Sequence, residues 1–377
     1  MIYHKFQDIK ISAFAMGLMR LPVIDGKDEH IDEAAALDMV KYAYDHGVNY
    51  YDTAWGYHGG NSETFIGKAL LSYPRESFFL ASKFPGYDSS NWPKVEEIFE
   101  EQLKKCQVEY FDFYLFHNVC EMNIDAYLDD DQYKIYSYLK AQKENGRIKH
   151  LGLSVHGSYE VLERFLEAYG KDIEFCQIQL NYIDYTLQEA KAKMELLAKW
   201  GIDVWVMEPM RGGMLAKATE EEEARLKALR PNESVAAWAL RWLQTQNQVI
   251  TVLNGCSSLE QLQENIAIFS EEEPLDAEEL AVLEDIVQTR LQGKITPCTA
   301  CRYCISHCPQ GIDIPYMIEL YNEHNFTGGG FIAPMALDAI DKDKRPDACV
   351  ACGACAEVCP QQIKIPETLA VFAEMLK

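Results

Sequence analysis

The sequence predicts a (β/α)8 barrel followed by a smaller, cysteine-rich domain, and three observations carry this prediction. The chain has 377 residues, more than the roughly 250 that such a barrel uses. Short apolar runs alternate with longer amphipathic stretches through residues 1–290, as expected for strand and helix units around a parallel sheet. Eight of the 12 cysteines fall within the last 80 residues. We therefore expect two domains, at 1–290 and 291–377.

Eight short apolar runs, each of which ends at or just before a polar residue, are the expected strands. They are 12–18, 48–52, 78–83, 111–117, 150–155, 175–180, 203–207 and 249–253. Amphipathic stretches between and after them are the expected helices, at 32–46, 63–71, 94–106, 133–145, 159–169, 187–200, 234–244 and 259–269. Asp32 and Asn232 are expected to cap helices, and Gly47, Gly146, Gly170 and Gly201 stand where helices should stop.

Charge and composition exclude several classes of partner. The formal net charge is −24, and 48% of the residues are apolar. An acidic surface repels phosphate backbones and anionic lipid heads, so we expect neither nucleic acid nor a membrane as partner. No run of about 18 uncharged apolar residues occurs, and residues 1–10 lack the apolar core of a signal peptide. The sequence thus predicts a cytoplasmic protein, where cysteines serve metal or redox chemistry rather than disulfides.

The cysteine spacing is the strongest signal in the chain. Two runs share the form Cys-x2-Cys-x2-Cys-x3-Cys-Pro: Cys298, Cys301, Cys304 and Cys308, then Cys349, Cys352, Cys355 and Cys359. Zinc prefers two separated pairs of ligands, so this triple spacing favours two [4Fe-4S] clusters instead. The interval between the runs contains an expected helix at 314–322, which resembles the helical variety of two-cluster ferredoxin domain.

In two-cluster ferredoxins the fourth cysteine of each run ligates the other cluster. The expected ligand sets are therefore Cys298, Cys301, Cys304 and Cys359 for one cluster, and Cys308, Cys349, Cys352 and Cys355 for the other. The remaining cysteines, Cys106, Cys120, Cys176 and Cys256, lie singly in apolar surroundings and are expected to be buried thiols without a redox role.

Chemistry in a (β/α)8 barrel sits at the carboxyl ends of the strands. The polar residues at these ends are Asp52, Lys83, His117, Ser154, His156, Gln179, Asn181, Glu208, Arg211 and Asn254. Three segments here, YDTAWGY at 51–57, LASK at 80–83 and YLFH at 114–117, resemble the catalytic segments of the aldo/keto reductase family. The resemblance covers about residues 1–290 and includes SSLEQLQEN at 257–265, which is similar to the family's adenosine-phosphate loop.

The resemblance implies a catalytic tetrad of Asp52, Tyr57, Lys83 and His117. Tyr57 would be the general acid in carbonyl reduction, made more acidic by the charge of Lys83. Asp52 would hold the lysine ammonium and His117 would orient the carbonyl. Trp55 and His58 would line the substrate cup.

The resemblance also implies a nicotinamide cofactor, NADH or NADPH. Its expected contacts are Ser154, Gln179, Asn181, Met207, Arg211, Asn254, Gly255, Ser257, Ser258, Gln261 and Asn265. Arg211 could grip a diphosphate or pair with an acid. Two departures from the family stand out: Met207 replaces a tyrosine that stacks on the nicotinamide, and the loop at 253–261 holds no cation for a 2′-phosphate, which argues against a strong NADPH preference.

The two domains differ in the number of electrons that they transfer in one step, because a cluster transfers one electron and a nicotinamide transfers a hydride. FMN, held by the loops after the seventh and eighth strands, would convert between them. We consider three hypotheses: a carbonyl reductase or alcohol dehydrogenase whose clusters exchange electrons with ferredoxin or an internal flavin; a ferredoxin-linked flavoenzyme that reduces another acceptor; and a non-enzymatic electron-transfer or redox-sensing module. The tetrad argues against the third.

Overall fold

The computed structural model describes residues 1–377 and divides them into two compact units. One unit comprises Met1–Tyr185 and Glu189–Val282, and the other comprises Thr186–Gln188 and Leu283–Lys377. No helix in either unit is long and apolar enough to cross a membrane.

The first unit is a closed barrel of eight parallel strands, as the sequence predicts. A hairpin of β1 (Tyr3–Phe6) and β2 (Ile9–Ser12) comes before the barrel. The barrel strands are β3 (Phe14–Gly17), β4 (Tyr50–Asp52), β5 (Phe79–Phe84), β6 (Phe111–Val119), β7 (Ile148–Val155), β8 (Phe175–Gln179), β9 (Asp203–Met207) and β10 (Val249–Gly255). They follow chain order around the barrel, and β10 closes onto β3.

Helices alternate with these strands. They are α1 (Glu33–Asp45), α2 (Ser62–Leu70), α3 (Val95–Cys106), α4 (Ile124–Leu128), α5 (Asp130–Tyr133), α6 (Ile135–Glu144), α7 (Tyr159–Tyr169), α8 (Asp184–Leu187), α9 (Ala190–Trp200), α10 (Glu220–Leu229), α11 (Val235–Leu243), α12 (Leu259–Ile268) and α13 (Ala277–Leu291). Asp32 caps α1 as expected, through a hydrogen bond from Ala35 N. The expected cap Asn232 is wrong, because Ser234 accepts from Ala237 N and starts α11 two residues later.

The hairpin was not predicted, and it decides which end of the barrel is open. Phe6 is 1% exposed and packs edge-on against Trp205 with ring centroids 4.9 Å apart. It joins Tyr50, Phe113 and Phe175 in the cluster that fills the barrel interior. Since Tyr50 and Phe175 begin their strands, the hairpin covers the amino ends and leaves the carboxyl ends free for a site.

The second unit is mainly helical. It contains α14 (Ile314–Thr327), α15 (Ile332–Asp338), α16 (Ala354–Glu357) and α17 (Ile365–Met375). Ile312, Met317, Leu369 and Phe372 are at most 1% exposed and form its core. The helix expected at 314–322 is confirmed and continues to Gly328, whose positive φ of 70° ends it.

Candidate active site and cysteine-lined cavities

A buried lysine connects the ends of two neighbouring barrel strands. Lys83 Nζ donates to Asp52 Oδ1 at 2.5 Å and to the carbonyl oxygen of Thr53 at 2.8 Å. It also lies 3.4 Å from the hydroxyl of Tyr57. Lys83 is 0% exposed, so its ammonium depends on these three oxygens in place of water. The structure thus brings three of the four expected catalytic residues together.

Burial and neighbouring charge shift the pKa values of these three residues in opposite directions. Burial raises the pKa of Tyr57 above its ordinary value, while the ammonium of Lys83 opposes the rise. Burial also raises the pKa of Asp52 against the lowering effect of Lys83. For Lys83, burial lowers the pKa, but Asp52 and Tyr57 together raise it above the ordinary value. Tyr57 is therefore protonated next to a charged lysine, which is the state of a proton donor.

His117 completes the tetrad near the carboxyl end of β6. Its ring lies edge-on to Tyr57, with centroids 6.1 Å apart, and to Tyr87, with centroids 5.3 Å apart. Burial and then the charge of Lys83 hold the pKa of His117 well below its ordinary value. Its buried Nδ1 has no hydrogen-bond partner. The ring is thus a neutral imidazole, able to donate one hydrogen bond to an oxygen.

A buried polar network that the sequence analysis missed supports the backbone of Lys83. Gln102 of α3 donates through Nε2 to the carbonyl oxygen of Lys83 at 3.0 Å and to Glu63 Oε1 at 2.7 Å. Ser82 donates to the same oxygen of Glu63 at 2.7 Å, and Tyr114 donates to Gln102 Oε1. These residues lie on the inward faces of amphipathic helices and on strands, where sequence patterns predict apolar residues.

The two residues expected to form the substrate cup differ in placement. Trp55 is partly buried and does not line the barrel cavity, and Lys105 Nζ lies 3.8 Å from its ring centroid. His58 is 1% exposed and does not line the barrel cavity. Its Nε2 accepts from Leu21 N at 3.1 Å and its Nδ1 donates to the carbonyl oxygen of Asp28 at 2.7 Å. His58 therefore stabilises the loop at 18–31 through these two hydrogen bonds and is not positioned to contact a substrate.

A cavity of about 300 Å³ opens beside Asp52 and Tyr57. Six of the expected cofactor contacts line it: Met207, Asn254, Gly255, Ser257, Gln261 and Asn265. Gln261 Oε1 accepts from Ser257 N at 2.9 Å, and Asn265 Nδ2 donates to Cys256 Sγ at 3.1 Å. The cavity thus runs from the tetrad to the start of α12, as an extended cofactor requires.

The other five expected cofactor contacts do not line this cavity. Gln179, Asn181 and Arg211 all converge on buried Asp184, at 2.8, 2.6 and 2.9 Å respectively. Of the two roles considered for Arg211, pairing with an acid is the one the geometry displays. Ser154 Oγ accepts from Asn118 N at 2.8 Å, and Ser258 caps α12.

Among the cavity residues that the sequence analysis did not single out, Gln177 and Arg20 bear hydrogen-bonding side chains. Gln177 of β8 lines the cavity, and its buried Oε1 has no hydrogen-bond partner. Strict alternation along β8 from inward-facing Phe175 would have placed Gln177 on the inward face together with Gln179. Arg20, which follows β3, also lines the cavity and lies 3.9 Å from Glu208 by its Nη2.

The eight clustered cysteines line two further cavities in the sets expected from the motif. Cys298, Cys301, Cys304 and Cys359 line one, and Cys308, Cys349, Cys352 and Cys355 line the other. In each set, three cysteines come from one run at Cys-x2-Cys-x2-Cys spacing and the fourth comes from the other run. This arrangement suits the corners of a cube better than one tetrahedral zinc.

The two cysteine runs also share a backbone conformation. Ala300 and Arg302 flank Cys301 with φ of 49° and 63°, and Ala351 and Gly353 flank Cys352 with φ of 53° and 82°. Repeated left-handed positions tighten each loop around its cavity. Isoleucines and prolines such as Ile363 and Pro360 complete the walls. The residues present therefore fit two cubic clusters.

The four other cysteines are buried, as expected. Burial raises the pKa of Cys120 to about 11 and that of Cys256 to about 12. A thiol with such a pKa forms little thiolate near neutrality and is a poor nucleophile or metal ligand.

Residues 14–288 match the aldo/keto reductase family, and residues 297–363 match the 4Fe-4S dicluster domain. Together with the parallel barrel and the charged lysine beside a tyrosine at its open end, these matches define an oxidoreductase. The chain belongs to the aldo/keto reductase family. This membership implies a small carbonyl or alcohol as substrate.

Curated relatives resemble the barrel part of the chain. L-galactose dehydrogenase of Arabidopsis thaliana is 26% identical over 74% of this chain and 92% of its own length. The NADH-specific methylglyoxal reductase of Escherichia coli is 22% identical over 69% and 90%.

Among solved structures, the holo form of an aldo-keto reductase from Bacillus halodurans superposes with a TM-score of 0.61. It is 24% identical over 75% of this chain and 95% of its own. An aldo-keto reductase from Klebsiella pneumoniae in complex with NADPH superposes with a TM-score of 0.60 at 18% identity, over 75% and 93%.

Proposed function

We propose that the barrel interconverts a small carbonyl compound and its alcohol with NADH or NADPH, and that the C-terminal domain holds two [4Fe-4S] clusters that exchange electrons with a carrier such as ferredoxin. The single observation that carries the proposal is the contact of Lys83 with both Asp52 and Tyr57 beside the cavity. The name of the NADH-specific relative and the NADPH complex of the Klebsiella protein support the choice of cofactor.

A bound reduced nicotinamide would supply the hydride that adds to the carbonyl carbon. Tyr57 then gives its hydroxyl proton to the carbonyl oxygen, and the phenolate left behind is stabilised by Lys83 at 3.4 Å. Asp52 keeps that ammonium in place, and neutral His117 donates a hydrogen bond that orients the oxygen. In the reverse direction the same phenolate accepts the proton of an alcohol.

Gln177 is the cavity residue best placed to hold the amide of the nicotinamide. Its Oε1 is buried, faces the cavity and lacks a partner, and a buried acceptor of this kind favours a ligand that donates an N–H. Ser154, Gln179 and Asn181, which the family resemblance implied, would support the site from behind through their contacts with Asn118 and Asp184.

We assign the iron–sulfur domain to residues 291–377 and place the protein in the cytoplasm, because eight cysteines reserved for clusters need a reducing compartment. The clusters would carry single electrons when bound. FMN stays a prediction. It rests on the fact that a cluster transfers one electron at a time whereas a nicotinamide transfers a hydride, so that a flavin would be needed to convert between them.

The proposal is tested on anaerobically purified full-length protein. Reduced nicotinamide should be consumed when small aldehydes or ketones are added, and electron paramagnetic resonance should detect two cluster signals after reduction. Extraction of the protein and spectroscopy of the extract decide whether flavin is bound. Failure of both NADH and NADPH to reduce any carbonyl in a broad panel would contradict the proposal.

A further inference from the structure

Lys105 of α3 lies over the loop at 54–61, which carries Tyr57. Its Nζ is 3.8 Å from the ring centroid of Trp55, which comes before the tyrosine. After the tyrosine, a Cβ added to Gly60 would lie 3.8 Å from the same nitrogen. Only 20% of the Lys105 side chain is exposed, and a cation shielded from water is attracted to the face of an indole ring. Lys105 therefore approaches the loop on both sides of Tyr57 in sequence.

The conformation of this loop depends on contacts with the rest of the barrel. Three consecutive residues, 58–60, have positive φ, and that of His58 is 54°. A left-handed conformation costs free energy at a residue with a Cβ, and it persists only where the surrounding structure fixes it. The hydrogen bonds of the His58 ring fix the part of the loop after Tyr57. The attraction between Lys105 and Trp55 fixes the part before it.

Glu63 of α2 holds the ammonium of Lys105. Its Oε2 lies 3.5 Å from Lys105 Nζ, and its side chain is 0% exposed. Its other oxygen, Oε1, accepts from Ser82 and from Gln102 at 2.7 Å each. Burial raises the pKa of Glu63, and the hydrogen bond from Ser82 and the charge of Lys105 oppose that rise. A buried carboxylate needs such partners in place of water, so the position of Glu63 and that of Lys105 depend on one another.

The carboxylate of Glu63 is thereby linked to both residues of the proton-donating pair. Through Oε1 and Gln102 it reaches the carbonyl oxygen of Lys83, to which Gln102 donates at 3.0 Å. Through Oε2 and Lys105 it reaches the loop of Tyr57. The Tyr57 hydroxyl lies 3.4 Å from Lys83 Nζ, and the attraction between a phenolate and an ammonium weakens as their separation grows. A movement of the strand or of the loop would therefore change how well Lys83 stabilises the phenolate.

We propose that Glu63 and Lys105 are positioning residues, which set the distance between Tyr57 and Lys83 without contacting substrate or cofactor. Neither of them lines the barrel cavity. The inference rests on the proposed function, in which Tyr57 transfers the proton. It adds to the tetrad an ion pair that joins α2 and α3 to the loop after β4.

Lys105→Met keeps an unbranched side chain and removes the charge, and it is tested in the full-length, cluster-loaded protein. The kcat for carbonyl reduction should fall roughly 3- to 30-fold, the range of a lost cation–π contact, whereas the KM for NADH or NADPH should change little. Lys105→Arg should retain most of the kcat, because arginine also binds an indole face. Lys104→Met is the matched control, since Lys104 is 79% exposed and pairs with Glu101; it should leave kcat unchanged.

Glu63→Gln removes the carboxylate charge and should lower kcat as well. The loss in the double variant Glu63→Gln/Lys105→Met should be smaller than the product of the two single losses, because both substitutions break the same ion pair. A double loss equal to that product would show that the two residues act independently, and it would overturn the inference.

The pH profile of alcohol oxidation distinguishes positioning from a purely structural role. In that direction the phenolate of Tyr57 is the base, so kcat rises with pH as the tyrosine ionises. The ionisable groups that face Tyr57 are Lys83, Asp52, Glu208, Tyr87 and His117. Of these, Lys83 is the cation that favours the phenolate, and its displacement from Tyr57 raises the pKa of the tyrosine. The profile of Lys105→Met should therefore move to higher pH, whereas a loss of stability alone would leave it in place.

Crystal structures of the wild type and Lys105→Met measure the contact directly, and the variant should show a longer distance between Tyr57 Oη and Lys83 Nζ. An unchanged kcat and pH profile in Lys105→Met would overturn the inference and leave the proposed function intact. A wild type that reduces no carbonyl would overturn the proposed function; the two crystal structures then decide the inference, which an equal distance in both would overturn. If circular dichroism shows that Lys105→Met is unfolded, Lys105→Gln takes its place in each measurement, because glutamine keeps a donor for Glu63 and lacks the charge.

Discussion

Lys83 Nζ lies 3.4 Å from Tyr57 Oη, although the two residues come from different strand–loop units. The lysine is fully buried and holds its charge through Asp52. This contact places the proposed proton donor beside a charge that would stabilise its conjugate base, and it is the basis of the catalytic prediction below.

Replacing the tyrosine hydroxyl should separate chemistry from binding. Tyr57→Phe should lower kcat for carbonyl reduction by about 10²- to 10⁴-fold, the usual contribution of a positioned acid, and change cofactor affinity little. Steady-state kinetics and fluorescence titration with reduced nicotinamide measure the two effects. Tyr159→Phe, at a hydroxyl that contacts Glu163 on α7, is the control. Unchanged kcat in Tyr57→Phe would assign the acid elsewhere.

Gln102 should matter for stability and for the placement of Lys83. Gln102→Ala removes the donor to buried Glu63 and to the backbone of Lys83, so we expect a loss of about 1–3 kcal/mol in the free energy of unfolding. Urea denaturation measures it. Gln132→Ala, at an exposed position, should change the free energy little. Equal stability of the two variants would show that the network contributes nothing.

The sequence predicted those parts of the site that depend on strand order, and it was weaker where a side chain's direction decides its role. Asp52 and Lys83 end strands, so a barrel brings them together whatever the loops do. His58 lies in a turn with φ of 54°, which directs its ring to Leu21 instead of the cavity. Gln177 and Gln179 differ by two residues on one strand, and only packing shows which one faces the cavity. The hairpin of β1 and β2 is local structure, but Phe6 at the end of β1 packs against residues that lie far away in sequence.

A histidine near the end of β7 should make stability depend on pH. Burial, and then the charge of Lys193, lowers the pKa of His156 to about 4, whereas the unfolded chain has a value of about 6.5. Above about pH 6.5 both states are neutral and the stabilising contribution is complete. As the pH falls from about 6.5 toward about 4, His156 binds a proton in the unfolded state but not in the folded state. The free energy of unfolding therefore decreases.

The comparison of wild type with His156→Gln isolates this effect, since other acid-sensitive groups are common to both proteins. Between about pH 7.5 and about pH 5.5, the wild type should lose roughly 1.4 kcal/mol more than the variant in the free energy of unfolding. Urea denaturation at the two pH values provides the numbers. Exposed His30→Gln should track the wild type. Parallel pH curves for wild type and His156→Gln would contradict the prediction.

The pairing of cysteines across the two motifs is testable by loss of individual clusters. Cys359 is 55 residues or more from Cys298, Cys301 and Cys304 in sequence, yet it lines their cavity. Removing Cys359 should therefore damage the same cluster as removing Cys298, whereas removing Cys308 should damage the other. In Cys359→Ala, Cys298→Ala and Cys308→Ala, iron should fall from about eight atoms per chain toward about four. Electron paramagnetic resonance should find the same remaining signal in the first two variants and a different one in the third. Cys106→Ala, at a buried thiol of the barrel, should keep both signals. If Cys308→Ala instead matched Cys298→Ala while Cys359→Ala differed from both, each motif would ligate its own cluster, and the sets that line the two cavities would not be the ligand sets.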